Sequence, residues 1–401
     1  MTKAPYRALL GSPGVAWLLS TSLFARLPVA MVNLAIILRI ARGTGSYARA
    51  GLVTAAYVIG TGLVMPFVGR LADRVGSRPV LLVAGVVNAA GLVSLAFVPV
   101  GDTVALLVVA AVAGASVPPV APAVRSLWRH LVPPDLLSGL FAMDATLQEV
   151  TFMVGPSLVA LVATFAEPAG ALVACGLIGL IGAIAVAGHP AIGRDATKAP
   201  GPRQRADLAG LVTLVAVMVM FLAAIVIVEV SVVAFAGHHH ASDQSGLLLS
   251  VWSLGSMAGG FVIGARMARS GAAVLAPLLA ASALGFALLS LAPDLGALYG
   301  LIFVGGIAIA PGFSCIYWLV GELTPHGSSV EAFSWVSSGI QVGAAIGAAS
   351  GGLLVQSFGS RVAMLCAGAC ALGTAAIALL RGHHLPGHPS SMPVSPGAAN
   401  N

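Results

Sequence analysis

Twelve apolar stretches, most of them about twenty residues or longer, leave this chain few folds to adopt. Several, among them Thr54–Val68 and Pro79–Val100, hold no charged residue. A helix needs about 20 apolar residues to cross the hydrocarbon core of a bilayer. A single open strand cannot satisfy its backbone there, whereas a helix can. Composition agrees: 8% of the 401 residues are charged and 58% are hydrophobic, against roughly 25% charged in a soluble domain. The chain reads as an all-α integral membrane protein.

The pattern predicts helices over about Gly14–Leu38, Ala48–Val68, Pro79–Val98, Thr103–Val124, Ser138–Phe165 and Ala169–Gly188. A second set follows at about Leu208–Phe235, Ser245–Ala265, Ala272–Leu291, Gly296–Val320, Val330–Phe358 and Arg361–Leu380. Between the sets, 189–207 is rich in Pro, Arg and Lys and reads as a polar linker. The expected organisation is a six-helix bundle over 1–188, the linker, a second six-helix bundle over 208–381, and a disordered tail over 382–401 rich in Pro, Ser, Gly and His.

Basic residues orient such a chain, because cytoplasmic loops carry the excess of Lys and Arg. Lys3, Arg7, Arg70, Arg74, Arg78, Arg125, Arg129, Arg194, Lys198, Arg203, Arg205, Arg266, Arg269 and Arg381 fall on one side. Arg39, Arg42, Arg49 and Arg361 fall on the other. Both termini and the linker are therefore expected in the cytoplasm, in a multi-pass protein of the plasma or inner membrane. The first apolar run is too long for a signal peptide. The net charge of +6 suits loops facing anionic lipid, and no basic helix suggests nucleic acid. Cys175, Cys315, Cys366 and Cys370 sit in apolar runs without a CxxC or Cys/His pattern, so neither disulfide nor metal site is implied. His238-His239-His240 lies in an outer loop and reads as solvated.

Between the second and third runs lies a charged island, Gly69-Arg70-Leu71-Ala72-Asp73-Arg74-Val75-Gly76-Ser77-Arg78. Gly69 permits close helix approach and Gly76 a reversal at positive φ. Asp73 among arginines is expected to give the turn its own ion pairs. The pattern G-x-L-x-D-R-x-G-x-R resembles the loop signature of the major facilitator superfamily of secondary transporters, with Ser77-Arg78 where the family has two basic residues. A second stretch supports duplication. Gly51 onward (G-L-V-T-A-A-Y-V-I-G) and Gly246 onward (G-L-L-L-S-V-W-S-L-G) align Tyr57 with Trp252, Gly60 with Gly255 and Gly76 with Gly271. Duplicated halves around a midplane site are a transporter architecture. The resemblance implies two pseudo-symmetric six-helix bundles rocking against each other, and gives Gly69, Asp73, Arg74, Gly76 and Arg78 the role of a cytoplasmic clamp.

The fifth run carries Asp144, Gln148, Glu149 and Gly155-Pro156. The Gly-Pro pair partly resembles the superfamily's antiporter motif, typical of drug and metabolite exporters. Physically, Pro156 frees a carbonyl and is expected to bend the helix, while Gly155 allows close packing. The exporters' fourth-helix Arg is absent, Ala110 standing in its place. Pro118-Pro119, Pro122 and Pro311-Gly312 mark broken or bent helices.

A charge inside the bilayer costs at least about 2.5 kcal/mol and needs a partner or a task. Arg26 and Glu149 lie at similar depth and are expected to face each other. Glu149, Asp144 and Glu229 are candidates for exchanging protons or binding a cationic substrate. Asn33, Gln341, Tyr317 and Trp318 are candidates for lining the pathway. There is no Gly-rich phosphate loop followed by Lys, so ATP drive is not expected, and no nucleophile–base set suggests an enzyme. The expected function is secondary active transport of a small molecule, driven by the proton motive force without a cofactor, by a monomeric efflux antiporter. A sugar or metabolite importer or uniporter, and a non-transporting sensor or scaffold, remain alternatives.

Overall fold

The computed structural model describes residues 9, 11, 13–165, 167–194, 208–241, 244–264, 272–324, 328–382 and 385. Among them, eleven helical spans are long and apolar enough to cross a membrane, and a shorter apolar helix makes the twelfth. In chain order they are α1 (Pro13–Thr44), α2 (Tyr47–Val75), α3 (Ser77–Phe97), α4 (Thr103–Leu131), α5 (Pro134–Phe165) and α6 (Glu167–Ala187). The second half comprises α7 (Leu208–His238), α8 (Ser245–Gly259, continuing as a π-turn to Gly264), α9 (Ala272–Leu289), α10 (Leu295–Leu323), α11 (Ser329–Phe358) and α12 (Ser360–Leu380). After α6 a short helix, Pro190–Arg194, begins the linker. The rest of the linker, the second copy of the charged loop with Arg266, Arg269 and Gly271, and nearly all of the tail lie outside the described residues.

The two halves repeat one another in packing. In the first, Gly60 on α2 lies so close to α4 that a Cβ would overlap the Ala111 carbonyl, and Gly114 likewise meets Tyr57. In the second, Gly255 on α8 meets Phe303 of α10, and Gly306 meets Trp252. The α2–α8 partners are offset by 195 residues (60 to 255, 57 to 252), in the register expected from sequence. The α4–α10 partners are offset by 192 (111 to 303, 114 to 306). Asp102 and Asp294 obey the same second offset. Each caps its helix by accepting an amide, from Ala105 at 3.0 Å and Ala297 at 2.8 Å. Such a cap satisfies a backbone N–H that the helix end leaves orphaned.

Both capped helices break midway. α4 is interrupted between Ala115 and Val120, where Pro118 and Pro119 withhold amides, and α10 between Gly306 and Ile309. Pro311 then falls in the first turn of the resumed helix, where a proline costs no hydrogen bond. After its break α4 runs on to Leu131, well past the expected end at Val124. Arg125 and Arg129 therefore sit on a helix, not in a loop.

Three of the four arginines on the far side from the α2–α3 turn bond carbonyls near helix ends. Arg39 reaches Ala96 O at 3.3 Å, Arg49 reaches Val100 O at 3.2 Å, and Arg361 reaches Ala292 O at 2.9 Å. Cations are favourable at helix C-termini, which expose unpaired carbonyls and the negative dipole end.

Candidate functional site

A buried charge cluster lies in the first half where it faces α10 of the second, toward the α2–α3 turn. Asp144 of α5 accepts from two arginines. Arg26 Nη1 of α1 lies 2.8 Å from its Oδ1, and Arg125 Nε of α4 lies 2.7 Å from its Oδ2. Asp144 and Arg125 are each 1% exposed and Arg26 is 8% exposed. Arg125 also donates to Gln148 Oε1 at 2.8 Å. Its guanidinium lies 3.6 Å from the ring centre of Tyr317, on α10 of the opposite half. The Tyr317 hydroxyl closes the network by donating to Gln148 at 3.2 Å. Burial of this kind is tolerated only with such mutual pairing.

This corrects the expected pairing of Arg26 with Glu149. Arg26 turns to Asp144, one and a half turns from Glu149 on α5. Glu149 instead accepts from Ser256 Oγ of α8 at 3.0 Å, and Ser256 in turn accepts the Ala310 amide of α10 at 3.1 Å. Glu149 thus joins α5 of one half to α8 and α10 of the other. Glu229 on α7 lies within electrostatic reach of Glu149. Both carboxylates are half-buried, and no salt bridge reaches either among the described residues.

The charged island forms the tightest contact between the halves. α2 ends at Val75, Gly76 takes φ +94°, and α3 starts at Ser77. The Asp73 carboxylate accepts the amides of Val330 at 3.2 Å and Glu331 at 2.8 Å, at the N-terminus of α11. Arg70 pairs with Glu331 at 2.6 Å, so its partner lies across the interface and not within the turn. A Cβ at Gly69 would overlap the Ser334 hydroxyl. Arg129 of α4 bonds Glu322 of α10, and the Phe141 and Phe333 rings meet at a tilt with centres 6.2 Å apart. The contacts between halves described here all lie at this end or midway, which we call the clamped end.

The other sequence candidates are more scattered. Gln341 on α11 is half-buried and flanks Gly62 of α2, while Asn33 is exposed on α1. Arg74 and Arg78 flank the turn at the ends of α2 and α3. α5 runs unbroken through Gly155-Pro156, and a Cβ at Gly155 would press on Ala30 of α1 at 2.7 Å. His239 packs on Phe235 with ring centres 4.5 Å apart, and no group of metal-ligating side chains occurs among the described residues. Sequence reasoning missed Arg125 as a site residue. The available signal was the spacing from Arg125 to Asp144, opposite charges on consecutive apolar runs, each in need of a partner.

Twelve helices in two duplicated halves, with a buried ion-pair cluster in the first half that packs on Tyr317 of the second, define a secondary-transporter architecture. The Major Facilitator Superfamily profile matches residues 18–226 and 209–397, and the chain belongs to that superfamily. No curated protein matches the sequence significantly. Solved structures share the fold at low identity. The human organic anion transporter MFSD10 (TETRAN) is 16% identical with a TM-score of 0.72, covering 90% of this chain and 99% of that one. A bacterial homologue of the iron transporter ferroportin, in an outward-facing state, is 14% identical with a TM-score of 0.72, covering 92% and 98%. The E. coli fucose:proton symporter FucP is 14% identical with a TM-score of 0.71, covering 92% and 98%.

Proposed function

We propose that this transporter exports a small drug-like molecule or metabolite in exchange for protons by alternating access, with its clamped end in the cytoplasm. The observation that carries the proton reading is Glu149. It is a half-buried carboxylate at membrane depth, held by a serine hydroxyl of the opposite half and by no cation among the described residues. A carboxylate placed so can change charge and, in doing so, change how firmly α8 and α10 are held to α5. Glu229 is the second proton carrier. The excess of basic residues beside the clamp supports its cytoplasmic placement, and Gly155-Pro156 supports export.

On this reading the bundles are 1–188 and 208–381, joined by the linker 189–207. Asp73, Arg70 and Gly69 latch α2 to α11 while the opposite end is open, and the latch releases as the halves rock. Arg74, Gly76 and Arg78 shape and orient the turn that carries the latch.

The test is proton flux in proteoliposomes holding a pH gradient, with lipophilic cations, anions, antibiotics and sugars added singly. A compound that dissipates the gradient with wild-type protein and not with Glu149→Gln supports the reading. Transport with unchanged pH dependence in Glu149→Gln ends it.

A further inference from the structure

The charge cluster does not balance. Arg26 and Arg125 bring two positive charges to one carboxylate, Asp144, and Glu149 turns away to Ser256. The surplus falls on Arg26. Arg125 is fully engaged, with Nε on Asp144, Nη2 on Gln148 and its face under Tyr317. Arg26 gives only Nη1 to Asp144; its Nε and Nη2 are buried and have no acceptor among the described residues. One turn earlier on the same face of α1, the Ser22 hydroxyl is also buried without an acceptor. Three donors on one helix face therefore lack a partner, at a depth where water cannot supply one freely.

The two free nitrogens of Arg26 form the side-on edge of the guanidinium. Their N–H bonds run parallel, which matches the two oxygens of a carboxylate or of a phosphonate or sulfonate group. A neutral amide presents only one acceptor to that edge, and a spherical ion gains nothing from the fork.

We propose that the missing counter-charge belongs to the substrate: an oxyanion of the transported molecule, held by the Nε–Nη2 edge of Arg26 with Ser22 beside it. This rests on the transport reading above and names its substrate class as organic anions. The edge is closed to solvent while the clamp holds, and movement of α10, which carries Tyr317 over Arg125, opens access to it.

The test reads binding without a pH gradient. Full-length protein in nanodiscs of phosphatidylcholine alone is titrated with benzoate, benzenesulfonate or inorganic phosphate in exchange for chloride, and with neutral benzamide. The readout is the midpoint of thermal unfolding. The expected result is a saturable rise with benzoate or benzenesulfonate and none with benzamide. Arg26→Gln abolishes it, while Arg381→Gln, on the exposed end of α12, retains it. Arg26→Lys keeps the charge and loses the fork, so the benzoate concentration at half-effect rises about tenfold or more; this variant carries the comparison if Arg26→Gln does not fold. Four results overturn the inference: no saturable response to any anion, an equal response in both Arg26 variants, a response to phosphate alone, or a response appearing only when phosphatidylglycerol is added to the discs. The last two assign the edge to an inorganic ion or a lipid headgroup. Anion binding with no proton exchange sinks the proton reading alone, and proton exchange with no anion binding sinks this one.

Discussion

The Asp73 carboxylate caps a helix of the opposite half, accepting the Glu331 amide at 2.8 Å, while Arg70 one turn earlier on α2 pairs with the Glu331 side chain. Glu331 is thus gripped at its backbone and at its carboxylate by one turn of α2. A carboxylate at a helix N-terminus is favoured by the free amides and the dipole, at about 0.5–2 kcal/mol. Asp73→Ala is expected to shift the population away from the clamped state by roughly three- to thirtyfold. Distances between spin labels at Val75→Cys and Ser329→Cys, in a background without other cysteines, check this. An unchanged distance distribution would show that Asp73 does not hold the halves together.

Gly69 and Ser334 allow a steric test of the same contact. Gly69→Val should loosen the clamp more than Asp73→Ala does, because the new side chain meets Ser334 and the Val330 carbonyl. Adding Ser334→Gly removes the closer obstacle and should restore part of the clamped population. A double mutant no better than Gly69→Val would place the strain elsewhere.

The unequal charges around Asp144 order three substitutions by stability. Asp144→Asn leaves two buried guanidiniums facing each other, and should cost about 3–5 kcal/mol. Arg125→Met leaves the neutral pair Arg26–Asp144 and should cost less, with Arg26→Met the mildest because Arg125 and Asp144 remain fully bonded. Thermal unfolding of the purified proteins gives the order. Equal losses for all three would mean that charge balance is not what stabilises the cluster.

The packing repeat predicts matched effects in the two halves. Gly60→Val and Gly255→Val each force a branched side chain into a backbone carbonyl on α4 or α10. Each should sharply lower the yield of monodisperse protein, and to a similar degree, whereas Gly51→Val, where a Cβ meets nothing within 4 Å, should be tolerated. Fluorescence-detected size exclusion of tagged variants is sufficient to compare them.

What the sequence determined on its own follows from one-dimensional constraints. Span length against bilayer thickness placed twelve helices, because any polar backbone left unpaired in lipid is too costly. The charged island announced the turn, and its glycines do what their lack of a side chain allows: Gly76 takes positive φ and Gly69 meets Ser334. The duplication at 195 residues was also readable, because the same helix pair must pack the same way twice. Tertiary structure alone decided the azimuths. Asp144 and Glu149 lie about 7.5 Å apart in height but face about 140° apart around α5, so depth could not tell which of them meets Arg26. Arg125 read as a loop residue because a charge usually ends an apolar run. It stays on the helix because α5 brings Asp144 and Gln148 to it once the first half has packed, and α10 lays Tyr317 over it once the two halves have come together.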